Sequence, residues 1–371
     1  MHILVTGGAG FIGSFIVDEL VHRGHKVRIF DNLTEQVHTA GGPPDYLNAE
    51  AEFIRGDIRD RDALAKALQG IEAVFHKAAA VGVGQSQYEI KHYVDVNIGG
   101  TANLLDILAN EDHRVQKLIV AASMSSYGEG CYRCETHGVV RPPLRTPEQM
   151  ALLEWELFCP ACGSALTPVP TDETAAYHPN SVYAITKGVQ EDLVLNFGLT
   201  YDIQAVGLRY FNAYGPRQSL SNPYTGVAAI FLSRLKNGHP PIVYEDGVQT
   251  RDFVSVHDVV QANLLALERD LDGPSSFNIG TGDPRGIAAI AETLGELLEA
   301  GIAPEVTRTF RKGDVRHCYA DITRARESLG FEPKVSFEDG MRELIQWSLD
   351  AESADRMDEA VDELKRRGLV S

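Results

Sequence analysis

The sequence predicts an α/β protein built on a doubly wound parallel sheet. Short β-rich runs alternate with helical patterns through the first half of the chain. A glycine-rich turn joins the first strand to the first helix. The runs are also spaced widely enough for a helix between successive strands, as parallel pairing with right-handed crossovers requires.

In chain order, His2–Val5 reads as a strand and Phe11–Arg23 as a helix stopped by Gly24. Val27–Phe30, Glu52–Ile54, Ala73–Phe75 and Lys117–Ala121 read as further strands, and Tyr88–Asn110 as a long helix with Gly99-Gly100 inside it. Residues 129–170 break the rhythm. They are rich in Pro, Cys and Gly, carry one helical patch at Glu148–Phe158, and read as an insertion. The pattern resumes with a helix at Val182–Phe197 and a strand at Gln204–Leu208. Beyond Asn212, Val227–Lys236, Ile287–Glu299 and Phe337–Leu349 read as amphipathic helices, and Met357–Arg367 as a charged helix solvated on one side.

The 371 residues suffice for one large or two intimate domains. A net charge of −18 argues against a nucleic-acid binder and gives no general attraction for anions. Any phosphate must therefore be held by local devices such as helix N-termini and placed arginines. The start, Met1-His2-Ile3-Leu4-Val5-Thr6, reads as a strand rather than a signal peptide, and no apolar run reaches the ~20 residues of a bilayer span. A cytoplasmic protein is expected, and four of the five cysteines sit in tight pairs rather than in a disulfide pattern. The fifth, Cys318, reads as a small core residue.

Those pairs, Cys131-x-x-Cys134 and Cys159-Pro160-Ala161-Cys162, have the spacing of a tetrahedral zinc site with four thiolate ligands. Four thiolates close the coordination sphere, so the zinc is expected to be structural and to fold a segment poor in apolar residues. Four reduced thiols or two disulfides are the alternative. His137 lies within the insertion but offers no better spacing.

Thr6-Gly7-Gly8-Ala9-Gly10-Phe11-Ile12-Gly13 follows a strand and opens a helix. Glycines at this spacing allow a tight turn and let backbone approach a pyrophosphate at the positive end of the helix. Asp31, with Asn32 after it, closes the second strand where an acidic side chain accepts from a ribose 2′-hydroxyl. A carboxylate there repels a 2′-phosphate, so NAD is expected over NADP. Asp57-Ile58 ends the third strand and either flanks the adenine or starts a turn.

Tyr183-Ala184-Ile185-Thr186-Lys187 places a phenol and an ammonium on one helix face. A free Tyr titrates near about 10, and a base working near neutrality needs a fall of roughly 3 units, about 4 kcal/mol. A nearby ammonium and a cationic nicotinamide, shielded from water, could supply that. Ser123 follows the strand Lys117–Ala121 at the carboxyl edge of the sheet, where its hydroxyl can bridge Tyr183 and a substrate hydroxyl.

With these residues the chain resembles the extended short-chain dehydrogenase/reductases of the nucleotide-sugar epimerase/dehydratase family. The matching motifs are Gly7–Gly13, Asp31-Asn32, Asp57-Ile58, His76–Ala80, Ser123–Gly128, Tyr183–Lys187, Leu208–Arg217, Arg251–Val254 and Asn278–Gly280, in order across about residues 1–330. The resemblance implies a Rossmann-type domain over 1–212, with a smaller α/β domain that grips a sugar nucleotide over 213–371 and segments near 251–280 returning to the first. It implies a catalytic set of Ser123, Tyr183 and Lys187. It also implies NAD held by Gly7, Gly10, Phe11, Ile12, Gly13, Asp31, Asn32, Asp57, Ile58, Ala78, Ala79, Asn97, Tyr183 and Lys187. Substrate contacts would come from Ser123, Ser125, Asn212, Arg251 and Arg311, with Arg316 a further candidate for the diphosphate. Homodimers through Tyr88–Asn110 and Val182–Phe197 are implied as well.

Dehydratases of that family carry an Asp-Glu pair after the Ser or Thr. Here Met124-Ser125 stands there, and neither residue can exchange protons as carboxyls do. Redox-neutral inversion at C4 is left, which makes the expected enzyme an isomerase with NAD permanently bound. The cysteine-rich insertion, with Ala80-Val81-Gly82-Val83-Gly84-Gln85-Ser86, resembles the zinc-knuckle-containing bacterial members that act as dTDP-L-rhamnose 4-epimerases. A UDP-hexose or UDP-uronic acid 4-epimerase, a sugar-nucleotide decarboxylase or reductase, and a non-catalytic NAD-binding sensor or scaffold are the alternatives.

Overall fold

A computed structural model describes residues 1–38 and 41–370. Seven parallel strands form the central sheet, in the order Ser275–Ile279, Gln204–Tyr210, Lys117–Ser123, Ala73–His76, His2–Thr6, Lys26–Asp31 and Glu52–Arg55. The order reverses between His2–Thr6 and Ala73–His76, and the crevice outside the carboxyl ends of those two strands is where ligands bind in such sheets. Helices cover both faces, so the strands read as continuous apolar runs. Ile3 and Val5 point to one face and pack on Ile16, Val17 and Leu20 of helix Phe11–His22 and on Val259, Ala262 and Leu264 of helix Val256–Glu268. Leu4 points to the other face, with Leu64, Leu104, Leu108, Val194 and Phe197. Each such side chain contributes about 1.5–3 kcal/mol through burial.

The predicted helix Tyr88–Asn110 is observed as Ile90–Tyr93, a π-helical turn Val94–Gly99, and Gly100–Asn110. The wide turn turns Asn97 inward. Helix Val182–Tyr201 starts at Ser181, whose hydroxyl accepts the Ala184 N–H at 3.1 Å, and ends at Asp202 in the left-handed region. Past Phe211 the chain builds a third apolar cluster from Val227–Lys236, Ile287–Leu297 and Phe337–Ser348, returning between the first two of these helices to add Ser275–Ile279 as the sheet's edge strand.

The insertion is a separate antiparallel sheet of Gly138–Val140, Cys131–Cys134 and Thr167–Val169. Its predicted helical patch Glu148–Phe158 shrinks to Pro147–Ala151, because Phe158 pairs with Ala165 across the second cysteine turn instead. The two ends of the insertion meet. The His178 N–H donates to the Ser126 carbonyl at 3.0 Å, and a Cβ on Gly128 would lie 2.1 Å from the His178 carbonyl oxygen. Among the described residues no helix is long and apolar enough to cross a membrane.

Candidate active site and metal centre

A cavity of about 420 Å³ opens at the carboxyl edge of the sheet, over the strand-order reversal. Its floor is the glycine turn. Gly7 has φ +68, and a Cβ on it would lie 2.7 Å from the Ala78 nitrogen. A Cβ on Gly13 would lie 2.1 Å from the Gly7 carbonyl oxygen. Only bare backbone fits, and helix Phe11–His22 starts directly at the cavity with its unsatisfied N–H groups. Gly7, Gly10, Phe11, Ile12, Gly13, Asp31, Asn32, Asp57, Ile58, Ala78, Ala79, Tyr183 and Lys187 all line the cavity.

Asn97 does not. It is fully buried behind the wall, accepts the Ala80 N–H at 2.7 Å and donates to the Ala80 carbonyl at 3.1 Å. Both contacts hold the Ala80 backbone, next to the lining residues Ala78 and Ala79. Asp31 accepts the Ala9 N–H at 3.0 Å and the Leu33 N–H at 2.9 Å, which fixes the carboxylate at the end of its strand. Asp57 is clasped by Arg59 and Asn32, and the Arg59 guanidinium holds its carboxyl well below the usual range.

Tyr183 sits in the first turn of its helix, with its N–H on the Ser86 hydroxyl at 3.0 Å and its ring edge-on to Tyr93. Lys187 follows one turn later and donates to Gln190 Oε1. Burial pushes the Tyr183 phenol up, opposed by the Ser123 hydroxyl beside it. Burial takes the Lys187 ammonium down to about 7 against the pull of Glu191. His76 is buried and pushed to about 3 by desolvation and then by Lys187 and Lys77, so it stays neutral and bridges Thr6 at 2.8 Å and Thr101 at 3.0 Å. A cationic group entering the cavity is what would bring the phenol down.

Ser123 lies on the cavity wall, its hydroxyl 2.8 Å from that of Ser125. Ser125 also gives its N–H to Ser123 and is not among the described lining residues. Asn212 lines the cavity, and its buried Oδ1 has no partner. Gln218 presents a second unpartnered oxygen, Oε1, in the same wall. Two orphaned acceptors in one cavity fit a polar ligand, because a buried carbonyl left unpaired costs about 1–3 kcal/mol. Nothing in the sequence marked Gln218, and Lys77 was marked only as part of the His76–Ala80 motif; its Nζ meets the Tyr210 hydroxyl at 3.0 Å in the same wall.

Arg251 and Arg311 are not among the described lining residues. Arg251 donates to the carbonyls of Thr250 at 2.8 Å and Arg316 at 3.1 Å. Arg311 pairs with Asp314 at 2.8 Å and lies over the Tyr244 ring. Arg316 is buried among carboxylates and is not among the described lining residues either.

The metal centre differs from the expected four thiolates. Cys134, His137, Cys159 and Cys162 place their ligand atoms within 4.8 Å of one another. Cys131 is excluded by strand geometry. It is three residues from Cys134 on one strand, and an odd separation points the two side chains to opposite faces. Cys131 lies against Thr171 with its thiol pushed up by burial. The motif that does converge is Cys134-x-x-His137-Gly138 with Cys159-x-x-Cys162-Gly163, and both glycines take left-handed φ, +70 and +73. That shared trailing glycine was the sequence signal for His137. Zinc with Zn–S of about 2.3 Å and Zn–N of about 2.0 Å separates tetrahedral ligands by roughly 3.8 Å for S···S and 3.5 Å for S···N. Cys134 and Cys162 sulfurs are 3.6 Å apart, and His137 Nδ1 is 3.5 and 3.4 Å from the sulfurs of Cys134 and Cys159. The residues therefore fit zinc with all four positions filled by protein. Contacts from Ser164 hold the Cys162 thiol at about 6, suited to a thiolate ligand. Cys318 is buried as expected.

Residues 3–147 match the NAD dependent epimerase/dehydratase family, and residues 163–344 match GDP-mannose 4,6 dehydratase. A dTDP-L-rhamnose 4-epimerase of Burkholderia thailandensis is 37% identical over 350 residues, 93% of this chain and 94% of that one. The chain belongs to the NAD-dependent epimerase/dehydratase family. The crystal structure of UDP-glucose 4-epimerase with UDP-glucose from Thermotoga maritima is 34% identical, with a TM-score of 0.77 over 94% of this chain and 98% of that one. The Thermus thermophilus UDP-glucose 4-epimerase complex with NAD is 30% identical, with a TM-score of 0.74 over 95% and 100%. In this family member the cradle of bare glycine backbone, helix start and Asp31 carboxylate fits NAD.

Proposed function

We propose that this family member is a nucleotide-sugar 4-epimerase acting on a dTDP-6-deoxyhexose such as dTDP-L-rhamnose. The observation that carries the reading is the meeting of Ser123, Tyr183 and Lys187 on the wall of the cradle, with Met124-Ser125 in place of a carboxyl pair. The likeness to the Burkholderia enzyme over nearly the whole of both chains supports the substrate class.

Bound NAD would supply the acceptor for the C4 hydrogen of the sugar and return it to the opposite face. Tyr183 takes the C4 hydroxyl proton and gives it back. Ser123 holds that hydroxyl against the phenol. Lys187 lowers the phenol by its charge and is itself steadied by Gln190. No group of the site is consumed, so one bound cofactor serves every turnover. In this reading residues 1–212 hold NAD and residues 213–371 the nucleotide, with Arg251 and Arg311 as its diphosphate contacts. Their planar forks match those oxygens. Two copies pair through the helices of the first unit, where Ile90, Val94, Leu199 and Tyr201 are exposed.

A panel of dTDP- and UDP-sugars, assayed for C4 inversion with the co-purified cofactor alone, tests the reading. Inversion of dTDP-L-rhamnose is the expected result. Faster inversion of a UDP-hexose or UDP-uronic acid would transfer the enzyme to that substrate. No turnover of any sugar despite bound NAD would leave a sensor.

A further inference from the structure

The insertion is fastened to the nucleotide side of the cleft by one buried ion cluster. Both Nη atoms of Arg145 meet both oxygens of Glu245, at 2.8 and 2.9 Å. Arg316 Nη1 joins the same carboxylate at 3.0 Å and also reaches Asp246 at 2.6 Å, while its Nε takes Glu156 at 3.0 Å. The Arg316 N–H donates to Glu129 at 2.8 Å. The side chains of Arg145, Glu245 and Arg316 are only 1%, 2% and 1% exposed. Glu129, Arg145 and Glu156 come from the insertion, and Glu245, Asp246 and Arg316 from the far side.

Such a cluster is a poor source of stability, since apolar residues of the same volume do as well or better. Its local cost is visible too. Glu245 sits at φ +55, a left-handed backbone that a residue with a Cβ seldom adopts. What the cluster supplies is one fixed arrangement of what it touches. Arg145 Nη2 also donates to the Asp314 carbonyl at 3.0 Å, and the Asp314 carboxylate holds Arg311. The Arg316 carbonyl, one link further, holds Arg251. Both arginines assigned to the diphosphate thus rest on the short segment Arg311–Arg316, and that segment rests on Arg145.

We infer that Arg145 is a positioning residue for substrate: through Glu245 and Arg316 the metal-bearing insertion sets Arg251 and Arg311, and so the affinity for the nucleoside diphosphate. Arg145 is not among the described residues that line the cavity. The inference rests on the proposed diphosphate role of Arg251 and Arg311, and the test separates the two.

Thymidine diphosphate is titrated calorimetrically into the full-length, cofactor-loaded protein and into three variants, with zinc content, bound NAD, KM and kcat measured alongside. Arg311→Met is the control and should weaken binding tenfold or more. Arg145→Met combined with Glu245→Gln removes both charges of the pair, while Arg316 keeps Asp246 and Glu156 and Glu129 keeps the Arg316 N–H, and should weaken binding about tenfold and raise KM by the same factor, with kcat within twofold and NAD and zinc retained. Arg145→Lys keeps the charge and should recover part of the loss. If the double variant does not hold NAD, Arg145→Lys alone is judged, with a threefold loss of affinity expected. Binding within twofold of the parent in the variant judged, while Arg311→Met is weakened, overturns the inference and leaves the diphosphate reading standing. Unchanged binding in Arg311→Met removes both.

Discussion

Nδ1 of His137 lies 3.5 Å from the sulfur of Cys134 and 3.4 Å from that of Cys159. This nitrogen, not the Cys131 thiol, is the fourth ligand atom of the cluster. His137→Ala should therefore lower zinc from about one per chain to well below half, whereas Cys131→Ser should leave it at one. Elemental analysis of the two purified variants checks this, and the reverse pattern would restore the four-thiolate site.

Tyr183→Phe should abolish inversion while the protein still purifies with NAD. Loss of a general base removes roughly 10²–10⁴ in rate. Because this phenol also delivers the returning proton, a fall of at least a thousandfold in kcat is expected. A single-turnover measurement on the variant gives the number, and undiminished inversion would end the proposed mechanism.

Lys187 titrates at about 7 in the folded chain without ligands, against about 10.5 when free. The folded state therefore binds fewer protons than the unfolded state between those values, so this group makes stability rise with pH from 7 to 10.5. Below pH 7 both states carry the ammonium and the folded one bears the full burial penalty. Cofactor-stripped Lys187→Met should then melt above the parent at pH 6, with the gap closing as pH rises toward 10. A gap independent of pH would mean that the lysine keeps its charge when buried.

Gly13→Ala puts a methyl group 2.1 Å from the Gly7 carbonyl oxygen, far inside contact distance and against backbone that cannot swing away. The turn must deform where NAD is to lie. Retention of NAD through purification should fall at least tenfold, as read from the absorbance of cofactor released on denaturation.

Glu245→Ala takes from the buried Arg145 guanidinium its one close carboxylate, while Arg316 keeps Asp246 and Glu156, and should destabilise the fold by about 3–5 kcal/mol, the range for breaking a buried pair from one side. Denaturation midpoints of the variant and parent give the value. A change under 1 kcal/mol would show that water reaches the cluster.

The parallel sheet was legible because its buried strands are continuous apolar runs such as Leu118-Ile119-Val120-Ala121 and its turns are marked by glycine. The cofactor cradle was legible for the same reason: Gly7 and Gly13 are required by close backbone contacts that no other residue permits. That Asn97 sits behind the wall was not legible, since a residue one layer behind a wall has the same polar chemistry as one on it. Cys131 was misjudged because the paired-cysteine rule assumes a turn, and here the first pair lies along a strand. Gln218 and the Arg145–Glu245 contact depend on segments 100 residues apart in the case of the ion pair, and no local spacing encodes that meeting.

The insertion leaves and rejoins the chain at a closed neck, where Ser126 and His178 share a hydrogen bond. A module mounted on such a neck could have been acquired or exchanged without disturbing the register of Ser123 and Tyr183. The acids it neutralises make the acquisition hard to reverse. A descendant that discarded the module would keep Glu245 and Asp246 beside each other with half their counter-charge gone, so those two positions would have to change first.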